Sequence, residues 1–498
     1  MNDHKFHNNE DLISQDKERF EYVKKIVEQV EIREISSNKF SFQDKIDGIL
    51  TNRWLGIPIF AVVMFLVFWI SQVGPGVWIA EGYEFKNFSI PGLVTLIDMF
   101  GEWVGGLFQS DGIIKSILVD GIIGGVGAVI GFLPLVMVMY FLIALLEDCG
   151  YMARVSVILD PIFKKVGLSG KSVIPFVIGT GCAIPGVMAC RTIKDEREKM
   201  ATAMLAPFMP CGAKLPVIAL FAGAFFSESA WVGPIMYFVG IIIIFVCAYI
   251  IKLLTGAKHK KSYFIIELPE YKIPSFTKAV MSMLQRGWSY IVKAGTIILV
   301  CNFVVILMQS FNWRFQYVEN INDSILHDIA TPFGYIIAPF IGITVWQLAA
   351  AAITGFIAKE NVVGTLAVAF VGLENLINYD ELAMIEGSGL EIANIIAISR
   401  VAALAYLMFN LFTPPCFAAI GAMRSEIKNK KWFWGGIGLQ LGVGYSIAFL
   451  VYFFGTLFTT QQFGAFWMPI VGWIITLSFF AIVAISIVKK QAEYRVIK

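Results

Sequence analysis

From residue 54 onward the chain alternates long apolar stretches with short polar ones. Residues 54–73 carry no charge and are long enough to cross a bilayer. A second apolar run grows out of the glycine-rich 121–127 (GIIGGVG) into LPLVMVMYFLIALL. Segments 230–251, 291–308, 432–455 and 466–488 read as further spans. Between them, 74–111 is mixed, with an amphipathic piece at 93–108, and belongs on the extracytoplasmic side. Segment 255–290 is basic (Lys258, Lys260, Lys261, Lys272, Lys278, Arg286), which places it on the cytoplasmic side. Segment 309–333 is expected to be a polar loop outside. The run 336–371 is charged only at Lys359 and Glu360. As one helix it would be about 54 Å long, too long for one crossing and barely enough for two, so a broken or re-entrant element is expected. The run 392–423 contains Arg400 and Pro414-Pro415-Cys416 and ends in a basic cluster, Arg424 to Lys431, again a cytoplasmic signature. The basic tail after 488 is then cytoplasmic. Ahead of the first span, 1–15 is polar, and 16–34 sets Phe20, Val23, Ile26, Val27 and Val30 on one face of an amphipathic helix outside the membrane. The expected fold is an all-α polytopic membrane protein of about eight to ten crossings.

The stretch 171–216 does not look like plain anchoring helices. It holds two cysteines among helix breakers: Gly179-Thr180-Gly181-Cys182-Ala183-Ile184-Pro185-Gly186, and Pro207-Phe208-Met209-Pro210-Cys211-Gly212-Ala213-Lys214. A broken helix frees backbone polar groups, each costing several kcal/mol in hydrocarbon. Such breaks persist where they are buried in protein or line a water-filled path. A thiol beside the break is a soft ligand for a transition metal. The plainer alternative is that Gly and Pro permit close helix packing and that Cys is a small hydrophobe.

Composition agrees with a membrane protein: 57% hydrophobic, 15% charged, mean hydropathy +0.72. A net charge of +2 and no basic cluster interleaved with aromatics leave nucleic acid out. The seven cysteines lie mostly in apolar runs, which argues against a disulfide framework. Cys190, Cys247 and Cys301 have no breakers beside them and read as packing residues, as do Met188 and Met209. The four histidines are in polar segments. No cleavable signal peptide is recognisable ahead of residue 54. Gly167-Leu168-Ser169-Gly170-Lys171-Ser172 imitates a phosphate-binding loop, but Lys165 stands where the first glycine is needed and no strand precedes it. The glycine run at 121–127 likewise follows no strand and reads as helix packing. No nucleophile–base constellation for an enzyme is present.

A weak internal repeat is also visible. Glu147-Asp148 precedes Pro210-Cys211 by 63 residues, and Lys359-Glu360 precedes Pro415-Cys416 by 56. The first half would end outside and the second inside, as in inverted repeats that meet near the midplane. Glu147, Asp148, Lys359 and Glu360 are ionisable groups in or beside apolar runs, where function is the default. For Lys359 and Glu360 the alternative is pairing with charges on neighbouring helices.

Segments 147–154 (EDCGYMAR), 170–175 (GKSVIP), 179–185 (GTGCAIP) and 207–217 (PFMPCGAKLPV) resemble the first Gate motif of the bacterial ferrous iron transport protein B family, FeoB. Segments 355–366 (GFIAKENVVGTL) and 415–426 (PCFAAIGAMRSE) resemble the second. Residues 19–27 and 44–60 resemble the segment joining that family's G domain to its membrane domain. The resemblance implies two inverted Gate-type repeats with broken or re-entrant helices. It divides the chain into 1–53 (cytoplasmic amphipathic helix and connector), 54–111 (first transmembrane helix and extracytoplasmic segment), 112–229 (first Gate repeat), 230–333 (two spans with the basic loop), 334–426 (second Gate repeat) and 427–498 (two last spans and tail). It implies Fe²⁺ as the transported substrate, no bound cofactor, and a place in the bacterial cytoplasmic membrane with both termini inside. The metal candidates are Cys182, Cys211, Cys416, Glu147, Asp148 and Glu360. The path would be shaped by Gly179, Gly181, Pro185, Pro210, Lys214, Lys359 and Pro415. The sequence begins where the family's GTP-binding domain would have ended, so the expected system is split: a permease half, with GTP hydrolysis on a separate small GTPase that docks on 16–34. A small SH3-like accessory protein and self-association are further expected partners. The chain departs from the family at Ala183 (often Asn), at Pro210 and Gly212 (where Ser is common) and at Lys214 (usually Arg), which removes oxygen ligands and keeps the three thiols. The competing class is a Gate-domain protein that binds a nucleoside-like or lipid-like solute, or acts as a scaffold, without metal transport.

Overall fold

The computed structural model describes residues 21–23, 26, 42–80, 82–85, 88–106, 123–226, 231–255, 271–314, 316–318, 320–370, 377–378, 383–384, 389–459 and 464–496. The chain divides into Met1–Gly48 and Ile49–Lys498. In the first unit only residues 21–23 and 26 of the expected amphipathic helix are described, all helical; the rest of that expectation lies outside the described residues. Helix α1 (Phe42–Leu50) follows.

The large unit is helical, with two short hairpins. Helix α2 (Arg53–Gln72) is the first span, capped by the Asn52 side chain. Helix α3 (Pro75–Ala80), the hairpin β1–β2 (Gly82–Phe85, Phe88–Pro91) and helix α4 (Leu93–Gly106) follow. Helix α4 is the amphipathic piece expected at 93–108. Helix α5 (Gly124–Asp148) is the second span and packs on α2. Helix α6 (Tyr151–Lys165) leads to the imitation phosphate loop, where Gly170–Ser172 forms a single 3₁₀ turn. The Gly170 N–H donates to Asp160 Oδ1 at 2.8 Å, so this turn is packed on α6 and not open to a ligand.

The segments expected to form the two repeats appear as short helices joined at breaks. In the first repeat α7 (Val173–Gly181) stops at Cys182 and α8 (Ala183–Ala189) starts anew. Helix α9 (Glu196–Leu205) runs to the break at Met209–Cys211, and α10 (Leu215–Phe225) continues beyond it. Helix α11 (Val232–Leu254) spans. Helix α12 (Phe276–Tyr290) continues through a π-helical stretch, Ile291–Gly295, into α13 (Thr296–Ser310). The expected cytoplasmic loop therefore gives way to helix at Phe276, because Phe276, Ala279 and Gly287 offer α12 a face to pack on α5. In the second repeat α14 (Ile325–Ile341) already starts inside the segment expected to be a loop. It turns through 102° into α15 (Trp346–Ile357). After the break at Ala358–Glu360 comes α16 (Asn361–Ala369), then the hairpin β3–β4 (Ile377–Asn378, Ala383–Met384) and α17 (Gly389–Ile396). Helix α18 (Arg400–Phe412) meets the break Thr413–Cys416, and α19 (Phe417–Glu426) follows. Two plain helices finish, α20 (Lys430–Phe458) and α21 (Trp467–Val496).

Among the described residues seven helical stretches are long and apolar enough to span, or eight with the bent α14–α15 pair. The 15-residue α13 is a further, shorter apolar helix. The expected range of eight to ten crossings is met at its lower end. The two stretches that contain the cysteine breaks at 211 and 416 are 67% and 78% buried, against 11% for the last span. The broken elements are therefore the interior of the bundle and the unbroken ones its rim, as hydrocarbon requires of irregular backbone.

The backbones around the first break touch without room for side chains. A Cβ on Gly186 would lie 2.7 Å from the Gly179 Cα, and one on Gly181 would lie within the Met139 sulfur. Replacing Gly186 by Ala forces α7 and α8 apart. We expect about 1–3 kcal/mol of destabilisation from this overpacking, read as a lower melting temperature in detergent, with Gly364→Ala, where a Cβ meets nothing, as the neutral control.

Candidate functional site: four helix breaks at the repeat interface

The two repeats share one backbone pattern. Cys182 is extended (φ −151°, ψ 134°) between α7 and α8, and Ala358 is extended (φ −146°, ψ 131°) between α15 and α16. Cys211 precedes the turn into α10, and Cys416 precedes α19. The equivalence is thus Cys182 with Ala358 and Cys211 with Cys416. This corrects the repeat read from sequence, which set Glu147-Asp148 opposite Lys359-Glu360. Glu147 and Asp148 end an unbroken helix instead.

The packing is reciprocal. Helix α8 of the first repeat lies against α19 of the second, and α10 of the first lies against α16 of the second. Two of the breaks touch directly, and a third shares a neighbour with one of them. A Cβ on Gly212 would be 3.3 Å from the Gly181 oxygen, which joins the breaks at Cys182 and Cys211. Gly240 of α11 lies against Phe208, Pro210 and Phe412, and so against the breaks at 211 and 416.

Lys214 ties these elements. It is 2% exposed, and its Nζ donates to Pro207 O at 3.1 Å and to Leu411 O at 2.5 Å. Both acceptors sit where a helix gives out, one in each repeat, and carbonyls there have no intrahelical donor. One ammonium thus satisfies main-chain oxygens of both halves.

The three motif cysteines gather here. Cys182 lies within electrostatic range of Cys211, Cys416 and Glu360, and Cys416 within range of Cys211, Glu360 and Lys359. The Ile184 main chain lies against the Cys182 sulfur and the Ala419 main chain against that of Cys416. Cys182 and Cys211 are buried, Cys416 is half-buried, and all three are free thiols. Among the described residues, no three His, Cys, Asp or Glu side chains converge closely enough to hold an ion at once. The thiols form a neighbourhood rather than a ready coordination shell. A cavity of about 170 Å³ lies beside it, lined by Phe68, Trp69 and Gln72 of α2 and by Thr180, Gly181 and Gly212 at the breaks.

A scan of family models finds the Gate family, described as "Nucleoside recognition", at residues 129–225 and 291–430, which takes in every break. A second model, "Ferrous iron transport protein B C terminus", matches residues 234–286. The chain is 34% identical over 443 residues to the Fe(2+) transporter FeoB of Staphylococcus aureus strain COL, covering 84% of this chain and 60% of that protein. It is 32% identical over 453 residues to the Fe(2+) transporter FeoB of Methanocaldococcus jannaschii, covering 88% of this chain and 62% of that protein. The chain belongs to the FeoB family. It is also 33% identical over 460 residues to a fusion of Fe(2+) transport protein A with FeoB from Porphyromonas gingivalis, covering 83% of this chain and 52% of that protein. The chain spans between about half and two-thirds of the length of these relatives. No solved structure matches it.

Of the candidate residues of this FeoB-family chain, Cys182, Cys211, Cys416, Glu360, Lys214 and Lys359 come together. Gly179, Gly181, Pro185, Pro210 and Pro415 shape the breaks. Glu147 and Asp148 are exposed and do not join the thiols. Glu147 pairs with Arg286 at 3.1 Å, and Asp148 accepts the Ser275 N–H at 2.8 Å, so they fasten α12 to the end of α5. In the same motif Gly150 takes φ 81°, and buried Arg154 donates back to Gly150 O at 2.9 Å. This part of EDCGYMAR is a corner, not a ligand set.

Sequence reasoning missed Tyr140 and Tyr290. Both are buried; Tyr290 lies within range of Cys182, Cys416 and Glu360, and Tyr140 within range of Cys182. Tyr290 ends α12 at the π-helical stretch, a feature that frequently marks functional sites and leaves no periodic signal in sequence. Asn302 was also passed over. A lone amide inside an apolar run was the available signal; it accepts from Asn361 Nδ2 at 2.7 Å and so holds α13 against the break at Glu360. Cys190 and Cys247 pack in the core as expected, and so does Met209.

Far from the thiols, at the other end of the α8–α19 pair, buried Glu426 takes Arg191 and Lys199 as partners, the latter at 3.4 Å. With Cys182 near Cys416 at one end and Arg191 on Glu426 at the other, α8 and α19 run parallel across the repeat interface. Replacing both Arg191 and Lys199 by Met leaves this carboxylate buried without a partner. We expect a loss of about 3–5 kcal/mol, visible as a lower unfolding temperature. Lys214→Met strands two carbonyls at about 1–3 kcal/mol each; differential scanning of the purified variant should show a loss at least as large as that of any single thiol replacement.

Proposed function

We propose that this chain is the membrane part of a ferrous iron transport system and that Fe²⁺ passes between its two Gate repeats. The observation that carries the reading is the gathering of three thiols, drawn from both repeats, at helix breaks in the buried interior. Fe²⁺ accepts thiolate together with carboxylate and carbonyl oxygen. A conducting path must hold its ion weakly enough to release it. A neighbourhood of thiols that do not form a closed shell meets both needs. Cys182, Cys211 and Cys416 supply the soft ligands, and Glu360 supplies a carboxylate. The cavity against Gly181 and Gly212 is the approach to them. Glu147 and Asp148 take no part. The thiols stand near the bilayer midplane, and the repeats are inverted in the bacterial cytoplasmic membrane, with the basic 424–431 and the tail inside. The relatives bearing the same regions are named Fe(2+) transporters, which favours this reading over a nucleoside-like or lipid-like solute.

GTP hydrolysis belongs, in this reading, to a separate small GTPase that docks on residues 16–34, with a small SH3-like protein as a further partner. One relative is named as a fusion of Fe(2+) transport protein A with FeoB. The only GKS element is the 3₁₀ turn packed on α6. The purified chain should therefore not retain a labelled GTP analogue; tight binding that Lys171→Ala abolishes would refute this.

Serine keeps the size of cysteine but is a harder, far less acidic ligand. Each of Cys182→Ser, Cys211→Ser and Cys416→Ser should lower ⁵⁵Fe²⁺ uptake by at least about tenfold, the lower bound known for even indirect metal partners, without changing expression. Cys182 and Cys211 should react with a small polar maleimide and be protected by Fe²⁺ under reducing, anaerobic conditions. Normal uptake by all three variants would reduce the cysteines to packing residues.

A further inference from the structure

The fourth break carries no thiol. Where the first repeat has Cys182, the second has Ala358, followed by Lys359 and Glu360. Lys359 is 3% exposed, and its Nζ has no hydrogen-bond partner among the described residues. Its one close feature is the Phe356 ring, 5.1 Å from Nζ to the centroid. Buried ammonium groups normally find partners, because an unpaired charge away from water is expensive. Lys214, in the same interior, shows what a structural lysine does here: it is spent on two carbonyls. Lys359 is not. It lies instead within electrostatic range of Cys211, Cys416 and Lys214.

We propose that Lys359 is a tethered counter-charge that keeps the thiol path from trapping its metal, a positioning residue resting on the metal-path reading above. Two or three thiolates around a divalent cation bind tightly enough to serve as structural sites in folded proteins. A path built from them needs an opposing influence to release its ion. A positive charge tethered beside the sulfurs favours their ionised form while the path is empty. It then repels the cation that replaces it, so the cost falls on the loaded state. Where the first repeat has Cys182 the second has Ala358, and the lysine that follows brings its charge within range of Cys211 and Cys416. The cation–aromatic contact with Phe356 holds the ammonium there without a hydrogen bond to break. Divalent ions are affected most, which tunes the site to pass them rather than store them.

The test is a Cd²⁺ titration of the reduced, detergent-solubilised chain, followed by sulfur-to-metal charge-transfer absorption. Lys359→Met and Lys359→Gln should bind Cd²⁺ at least tenfold more tightly than the wild type, while Lys359→Arg stays at the wild-type affinity. In proteoliposomes the neutral variants should release preloaded metal more slowly. Unchanged or weaker binding in the neutral variants overturns the proposal and leaves the thiol path standing. If neither neutral variant folds, Lys359→Arg decides: wild-type affinity supports the counter-charge, and a tenfold change in either direction overturns it. A wild type without a Cd²⁺ signal that depends on Cys182, Cys211 and Cys416 overturns the metal path, and this proposal with it.

Discussion

Interrupting a helix inside an apolar layer is the constraint on which this structure depends. Every break releases main-chain donors and acceptors that lipid cannot satisfy. The chain answers by burying the breaks in the interior and surrounding them with unbroken helices. Lys214 is the clearest sign of the solution, since one side chain serves carbonyls from two breaks that are far apart in sequence. The Asn361–Asn302 pair does similar work by fixing the break at Ala358–Glu360 to α13. Chemistry and stability therefore draw on the same groups. The irregular backbone that could share an ion also needs the most support.

The two repeats are alike in backbone and unlike in side chains. The extended residue that ends α7 is a cysteine, and the one that ends α15 is an alanine, with nearly the same torsions. Duplication supplies the scaffold, while divergence at single positions decides what the scaffold holds. The second repeat trades sulfur for a lysine and a glutamate, so the interior carries both signs of charge. The parallel pair α8 and α19 then spans from the thiols at one end to the Glu426 ion cluster at the other. A shift at one end of this pair reaches the other through two short, directly packed helices.

Much of this was legible in the sequence because membranes simplify reading. Unbroken spans follow from apolar length alone, and α2, α11, α20 and α21 fall where the runs of apolar residues put them. The breaks were legible because Gly and Pro have no other reason to crowd around cysteines within an apolar run. Other features depended on tertiary context. The carboxylates Glu147 and Asp148 have the same local setting as functional intramembrane acids, and only their partners Arg286 and Ser275, more than 120 residues away, show that they join helices. The start of α14 was hidden because His327 and Asp328 made its first turn look like loop. The repeat was misaligned because charged pairs were matched to charged pairs, whereas the equivalence lies in backbone torsion.

The separation of the thiols is as informative as their proximity. A structural metal site draws its ligands into one shell, and its affinity then becomes folding energy. Here three cysteines come from three breaks, and each break is held by other means: glycine contacts at Gly179 and Gly186, the Lys214 bridge, and the packing of α8 on α19. None of these contacts is made by a thiol. Ligands freed from a structural duty can exchange an ion among themselves, and a sequence of partial sites suits passage better than a complete one. The absence of a closed shell among the described residues fits the proposed conduit where the two half-repeats meet.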